Sequence, residues 1–398
     1  MQPKIHLTNH IIIMKRQTLI ALSAAMILAG CGGSATNQNA QQTASNTVQQ
    51  GNTSAQPSNS TPAQPSVVVD GLPRQIDNGK IKAAADQLFA DADTMQNVTL
   101  QSVMILKGGN VVYEHWANGG DPNIPHVMHS VSKSFCATAV GMAVDDGKIK
   151  VTDHLIDFFP DQLPAKLSPN LRAITVKDLL TMNCGHETEV QIDRNFSGKP
   201  VDWVEAFLAH PVTKKPGTWY CYNSMGTYML SAIVQKVTGE KVLDYLMPRL
   251  FEPLGIEKPK WEESPQHINC GGWGLYLKTE DMAKFGQLFL QKGVWKGKRL
   301  ISEAWVDEAS KFQVPSVPAG TRPDEVEKKG LTTDNCAWLL GYGYQMWRCP
   351  ENAYRADGAR GQYIIVCPDK DAVIAVTADS PDLQKELSNV YKYLFPVL

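Results

Sequence analysis

The spacing of apolar positions changes along the chain, and each change predicts an element. Over Ile81–Ala92 apolar residues recur every three to four positions, the period of a helix. In "QSVMILKGGNVVYEHWANGG" two apolar, β-branched runs flank Gly108-Gly109-Asn110, which predicts two strands joined by a tight hairpin. From Val131 to Asp146 the residues are strongly apolar with helical character and stop at Gly147, the pattern of a buried helix. The middle of the chain continues helical through "ITVKDLLTMN", "VDWVEAFLAH" and "MGTYMLSAIVQKVTGEKVLDYLMPRLF". Strand patterns return in "GYGYQMWRC", "YIIVCP" and "AVIAVTA", and a helix over Leu383–Leu394 closes the chain. Strands at both ends with helices between them predict an α+β fold: an antiparallel sheet flanked by helices, with an inserted mostly helical domain. The expected sheet lobe spans residues 71–145 and 270–398, and the helical lobe residues 146–269. A cleft between two such lobes is a usual place for a ligand.

Before residue 67 the pattern is of another kind. Lys15 and Arg16 precede "TLIALSAAMILAG", an apolar run too short to span a bilayer and of the size of a signal-peptide core. The run ends Leu28-Ala29-Gly30-Cys31, which resembles a bacterial lipobox; an ordinary cleaved secretory signal is the alternative. We expect residues 1–30 to be a signal peptide with Met14 as the true start, and Cys31 to carry the lipid. Residues 31–70 then form a tether, because Gly32–Ser66 is almost entirely small and polar and cannot bury enough apolar surface to offset chain entropy. The expected location is the bacterial cell envelope, with the body in the periplasm, on the outer membrane in a Gram-negative cell. The lipid anchor is the only membrane contact implied. Seven of the eight cysteines remain after Cys31, an odd number with no zinc-like spacing. Cys136, Cys221 and Cys367 sit in apolar patterns that suit buried thiols. Across all 398 residues the formal charge is −2, which gives no electrostatic case for nucleic acid.

At the mouth of the apolar helix lies Ser130-Val131-Ser132-Lys133. Residues three apart share a helix face, so the Lys133 amine can reach the Ser130 hydroxyl. Burial disfavours an ammonium and lowers its pKa, which a base needs. Free N–H groups at a helix start can stabilise an oxyanion. Alone, Ser-x-x-Lys also fits a capping serine and a snorkelling lysine.

Two further segments extend the pattern. "KPGTWYCYNSMGTYMLSAIVQKVTG" carries Tyr222-Asn223-Ser224, and "YRADGARGQYIIVCP" carries Gly358 and Gly361 before a strand. With Ser130 and Lys133 they resemble the motifs of serine penicillin-recognising enzymes, in the branch of class C β-lactamases, esterases and 6-aminohexanoate-dimer hydrolases. The resemblance covers Gln75–Leu398 and implies a β-lactamase/transpeptidase-like fold. It implies Ser130 as nucleophile, Lys133 as base and Tyr222 as proton relay to the leaving group. It also implies Ser224 as a partner of the lysine or the substrate, and the N–H groups of Ser130 and Ala359, beside Gly358, as the oxyanion donors. One position departs from the family. The cationic start of the third motif is Ala356, followed by Asp357, so the residue that holds a substrate carboxylate in β-lactam-binding relatives is missing. Arg355 and Arg360 are the nearby cations, but Arg355 should point to the opposite strand face from Ala356. Gly272 and Gly274 fit a tight backbone path near the cleft, and Thr279 with Glu280 and Asp281 reads as a helix N-cap with an acidic first turn.

No Gly-x-Ser-x-Gly occurs, which weighs against an α/β-hydrolase, and His126, His129 and His186 read as loop or supporting histidines. No His-Glu-x-x-His or comparable metal cluster is present. The expectation is therefore a lipid-anchored serine hydrolase that forms an acyl-enzyme from carboxylic esters or simple amides. It needs no cofactor or metal, and its partner is a small-molecule substrate. A β-lactamase or D-Ala-D-Ala carboxypeptidase, and an inactive binding lipoprotein on the same fold, are the alternatives.

Overall fold

The computed structural model describes residues 71–192 and 201–398. The expected signal peptide, Cys31 and the whole of the expected tether lie outside the described residues. Helix α1 (Lys80–Thr94) buries Ile81, Ala85, Leu88, Phe89 and Ala92 along one face. Asp77 caps it from outside, its Oδ2 accepting the N–H of Ile81 at 2.9 Å and of Lys82 at 3.3 Å. Strands β1 (Leu100–Lys107) and β2 (Asn110–Trp116) follow as a hairpin. Its two connecting residues, Gly108 and Gly109, have φ of 56° and 76°, the left-handed pair that a primed turn requires.

Helix α2 (Ser132–Asp145) begins one residue later than the apolar pattern suggests, after a single 3-10 turn over His129–Val131. It is buried on every side from Ser132 to Ala143, so it is the central helix of the fold. Short helices occupy much of the next hundred residues, up to helix α3 (Ser224–Thr238), which packs against α2. The long apolar stretch that continues past α3 is interrupted at Gly239, whose φ of 76° ends the helix.

Helix α4 (Thr279–Leu290) corrects the expected cap. Its N-cap is Lys278, whose N–H is accepted by Asp281 Oδ2 at 3.1 Å. Thr279 is not free to cap, because its hydroxyl lies 2.7 Å from Ser102 Oγ in the buried interior.

The last strands are β3 (Trp347–Arg348), β4 (Tyr354–Gly358), β5 (Gln362–Cys367) and β6 (Ala372–Ala378), followed by helix α5 (Leu383–Leu394). The stretch "GYGYQMWRC" yields far less strand than its pattern suggests. Gln345 takes a φ of 58°, and only Trp347 and Arg348 pair in the sheet. The six strands form one sheet in the order β2-β1-β6-β5-β4-β3, antiparallel throughout. The fold is thus α+β, with strands from both ends of the body in one sheet.

Alternation along the strands sorts residues to two faces. Met104, Leu106, Ile364, Val366, Val373 and Ala375 join the core shared with α2, α3 and α4. Val103, Ile105, Tyr363, Ile365, Ile374 and Val376 join the core under α1 and α5. Helix α5 contributes Leu387, Val390 and Leu394, each burial worth about 1.5–3 kcal/mol. All seven cysteines of the described residues are free thiols, and all but Cys221 are buried.

Candidate active site

The turn before α2 is held in an unusual backbone state. His129 has a φ of 45°, a left-handed conformation that costs a non-glycine residue energy and is kept only where its surroundings impose it. Its carbonyl accepts the Ser132 hydroxyl at 2.6 Å, and the Val131 N–H reaches the Met128 carbonyl at 3.0 Å. Ser130 is held between these two anchors.

Lys133, on the first turn of α2, is 1% exposed. Its Nζ lies 2.8 Å from Ser130 Oγ, 3.2 Å from Ser224 Oγ and 2.7 Å from the Gly272 carbonyl. None of these partners carries a charge. Burial therefore dominates and lowers the Lys133 pKa to about 7, opposed only by the fields of Glu189, Cys136 and Asp357. When neutral, the amine has two N–H donors and one lone pair. Gly272 and Ser224 can take the donors, which leaves the lone pair for the Ser130 O–H.

Tyr222 lies over the same amine, with Nζ 4.8 Å from its ring centre. Burial drives its phenol pKa well up, and a hydrogen bond with Ser130 works in the opposite direction. Tyr222 is therefore a neutral phenol, able to donate its own proton and to receive one in exchange. Its ring stacks on Trp347 with centroids 5.5 Å apart. Ser224 opens α3. Its N–H donates to Glu189 Oε1 at 3.0 Å, while Asn223 Oδ1 accepts from Met225 and Gly226 to cap the helix.

Strand β4 completes the cluster. Gly358 passes so close to the Ser130 turn that an added Cβ would sit 2.4 Å from the Met128 carbonyl oxygen. The next residue, Ala359, lines the same cavity as Ser130. Neither the Ser130 N–H nor the Ala359 N–H is taken by a backbone carbonyl among the described residues. Gly272 has a comparable constraint, since a Cβ there would meet the Ser224 carbonyl oxygen at 2.7 Å. The structure thus brings together Ser130, Lys133, Tyr222, Ser224, Gly358 and Ala359.

The arginines are used elsewhere. Arg355 is fully buried; its Nε donates to Asp357 Oδ2 at 2.9 Å, and its Nη1 reaches the Arg348 carbonyl at 3.2 Å. Arg360 pairs with Asp379. Neither lines the cavity. The histidines also engage other groups. His126 Nε2 lies 2.6 Å from Gln101 Oε1, and His186 packs against Phe207 and His210. Burial lowers the His186 pKa to about 3, too low for a base at neutral pH, and lowers that of His129. Among the described residues no group of three His, Cys, Asp or Glu side chains could hold a metal ion.

The cavity beside Ser130 has a volume of about 460 Å³, and Tyr222, Trp338, Trp347, Asp357 and Ala359 help to line it. Sequence reasoning gave no role to Trp338, Trp347 or Asp357 as lining groups, nor to the Gly272 carbonyl as a lysine partner. Arg355 and Asp357, two apart on one strand and so on one face, were the available signal for their pairing.

Residues 85–393 match the family model described as Beta-lactamase. The chain is 26% identical over 340 residues to the 6-aminohexanoate-dimer hydrolase of Paenarthrobacter ureafaciens, covering 81% of this chain and 80% of the relative. It is 25% identical over 163 residues to the putative penicillin-binding protein PbpX of Bacillus subtilis, covering 39% of each. Among solved structures it resembles a putative 6-aminohexanoate-dimer hydrolase from Bacillus anthracis, with a TM-score of 0.66 and 19% identity. That match covers 82% of this chain and 86% of the other.

Proposed function

The chain belongs to the beta-lactamase family, and from that premise we propose that it is a serine hydrolase acting through an acyl-enzyme on carboxylic esters or simple amides. The observation that carries this reading is the buried Lys133 amine, 2.8 Å from Ser130 Oγ with its pKa lowered to about 7. Neutral Lys133 accepts the Ser130 proton as Oγ attacks the carbonyl carbon. The carbonyl π electrons move to oxygen, and the Ser130 and Ala359 N–H groups stabilise the oxyanion. Collapse expels the leaving group, which takes a proton from the Tyr222 hydroxyl, and the Lys133 ammonium restores that proton. Water attacks the acyl-enzyme by the same steps in reverse and frees the carboxylic acid.

The preference for esters and simple amides over β-lactams rests on the third motif. Ala356 and Asp357 stand where β-lactam-binding relatives offer a cation, and neither Arg355 nor Arg360 reaches the cavity. The relatives include both a 6-aminohexanoate-dimer hydrolase and a putative penicillin-binding protein, so the substrate is tested directly. The panel is p-nitrophenyl esters, nitrocefin and a D-Ala-D-Ala peptide, each with the wild type and Ser130→Ala. We expect ester turnover by the wild type alone. Equal turnover by both proteins on every active substrate would refute the nucleophile. Faster turnover of nitrocefin than of any ester would overturn the substrate assignment.

Lipid anchoring at Cys31 is part of the proposal, supported by the run "TLIALSAAMILAG" before that cysteine. Metabolic labelling with palmitate should mark the wild type and not Cys31→Ser; labelling of both would refute it.

A further inference from the structure

Gln345 is buried, its backbone is left-handed at a φ of 58°, and all of its polar groups are engaged. Its N–H donates to the Leu180 carbonyl at 3.1 Å, and its own carbonyl accepts the Ser134 hydroxyl at 2.7 Å. Its Nε2 donates to the carbonyls of Leu179 at 3.1 Å and Leu180 at 2.9 Å. Its Oε1 accepts the Thr227 hydroxyl at 2.7 Å. These partners belong to three helices. Leu179 and Leu180 end the short helix Val176–Leu180, whose last carbonyls no further turn of helix can satisfy. Ser134 follows Lys133 on α2. Thr227 lies three residues after Ser224, on the same face of α3. The junction also reaches Tyr222. Met182, two residues past Leu180, accepts the Cys221 N–H on its carbonyl at 2.9 Å, and Trp347, two residues past Gln345, stacks on the Tyr222 ring.

A residue that only filled this space would be apolar and could keep an ordinary backbone. A left-handed φ outside glycine persists only where the surroundings over-determine it, and a buried polar network fixes geometry when every member is satisfied. The Lys133–Ser224 contact beside this network is 3.2 Å, at the long end of the hydrogen-bond range, so a small separation of α2 from α3 breaks it. We infer that Gln345 is a positioning residue: it clamps α2 to α3 through Ser134 and Thr227, and so sets the Lys133 amine against Ser224 and Ser130. Gln345 does not line the cavity, so it acts through the helices and not on the substrate. This inference rests on the reading of Ser130 and Lys133 as the reacting pair.

The test is Gln345→Met, which keeps an unbranched side chain of similar size and removes the amide. Lys133 is read first, by the midpoint of its ¹³Cε NMR titration in the folded protein. Freed of Ser224 and better hydrated, the amine should titrate at least ~0.5 pH units above the wild-type value. The titratable groups that face Lys133 are Glu189, Asp357, Cys136, Tyr222 and His129, and the substitution changes none of them. A loss of stability alone lowers the folded fraction and leaves this midpoint where it was. Turnover is read second, as kcat for a p-nitrophenyl ester per site labelled by a fluorophosphonate. It should fall at least ~10-fold, with KM held within about twofold. A midpoint that stays or falls overturns the inference, and so does an unchanged kcat per labelled site. A wild type that turns over no ester would count against the proposed hydrolase, and the titration would still decide the role of Gln345. Thr227→Val should give a smaller change in the same direction, and it decides alone if Gln345→Met does not fold. Combined, the two should cost no more than Gln345→Met by itself; effects that multiply would overturn the clamp through Thr227.

Discussion

Two cations are buried within the same small region, and their fates differ. Lys133 is 1% exposed and Arg355 is 0% exposed. Lys133 touches two hydroxyls and a carbonyl, all neutral, and its pKa falls to about 7 because desolvation prevails. Arg355 touches the carboxylate of Asp357 at 2.9 Å. Burial opposes its charge too, but Tyr391 and Asp357 outweigh that and hold its pKa above the ordinary value. Burial alone therefore does not decide whether a cation becomes a base. The contacting group decides, and here the fold gives the lysine dipoles and the arginine a counter-ion.

This contrast can be broken at several points. The largest effect should come from Lys133→Ala, which removes the base. We expect kcat/KM for a p-nitrophenyl ester to fall by at least ~10³-fold while the melting temperature holds or rises. A loss under tenfold would place the base elsewhere. Next is Arg355→Met, which leaves Asp357 buried without its counter-ion. Unfolding by urea should show a loss of about 3–5 kcal/mol, recovered in large part by adding Asp357→Leu. No loss in the single variant would mean that the pair is not the structural unit described.

Gly358→Ala acts on position alone. The new Cβ must push the Ser130 turn or β4 aside, and a misplacement of about 1 Å can cost ~100-fold in kcat. The smallest effect is also the sharpest. Ser224→Asp gives Lys133 the kind of partner that Arg355 has. A carboxylate at that distance raises an amine pKa by about 1–3 pH units. Lys133 acts only when deprotonated, so the rising limb of the pH–rate profile should move up from about 7 and activity at pH 7 should drop. Activity should return at higher pH. A profile that does not move would separate the limb from Lys133.

What the sequence makes legible follows from locality. The α1 periodicity, the Gly108-Gly109 hairpin, α2 and α5 are each written within a few turns or one strand pair. So is the reach of Lys133 to Ser130, three residues away. The Gly272 carbonyl lies 139 residues from Lys133, and no local pattern announces it. Asp357 was read only as the departure from a motif; its pairing with Arg355, two residues away on β4, is local, whereas its contact with Trp338 depends on how β4 meets the 3-10 turn over Ala337–Leu339. Thr279 misled because its hydroxyl is committed to Ser102 across the fold and not to its own helix.

The central claim is that Lys133 titrates near neutral pH and so supplies a neutral amine there, and an NMR titration of protein labelled with ¹³C at lysine Cε measures that state directly. With the Lys133 resonance assigned by its absence in Lys133→Arg, the account predicts a titration midpoint near 7. A midpoint near 10, where ordinary lysines titrate, would contradict it.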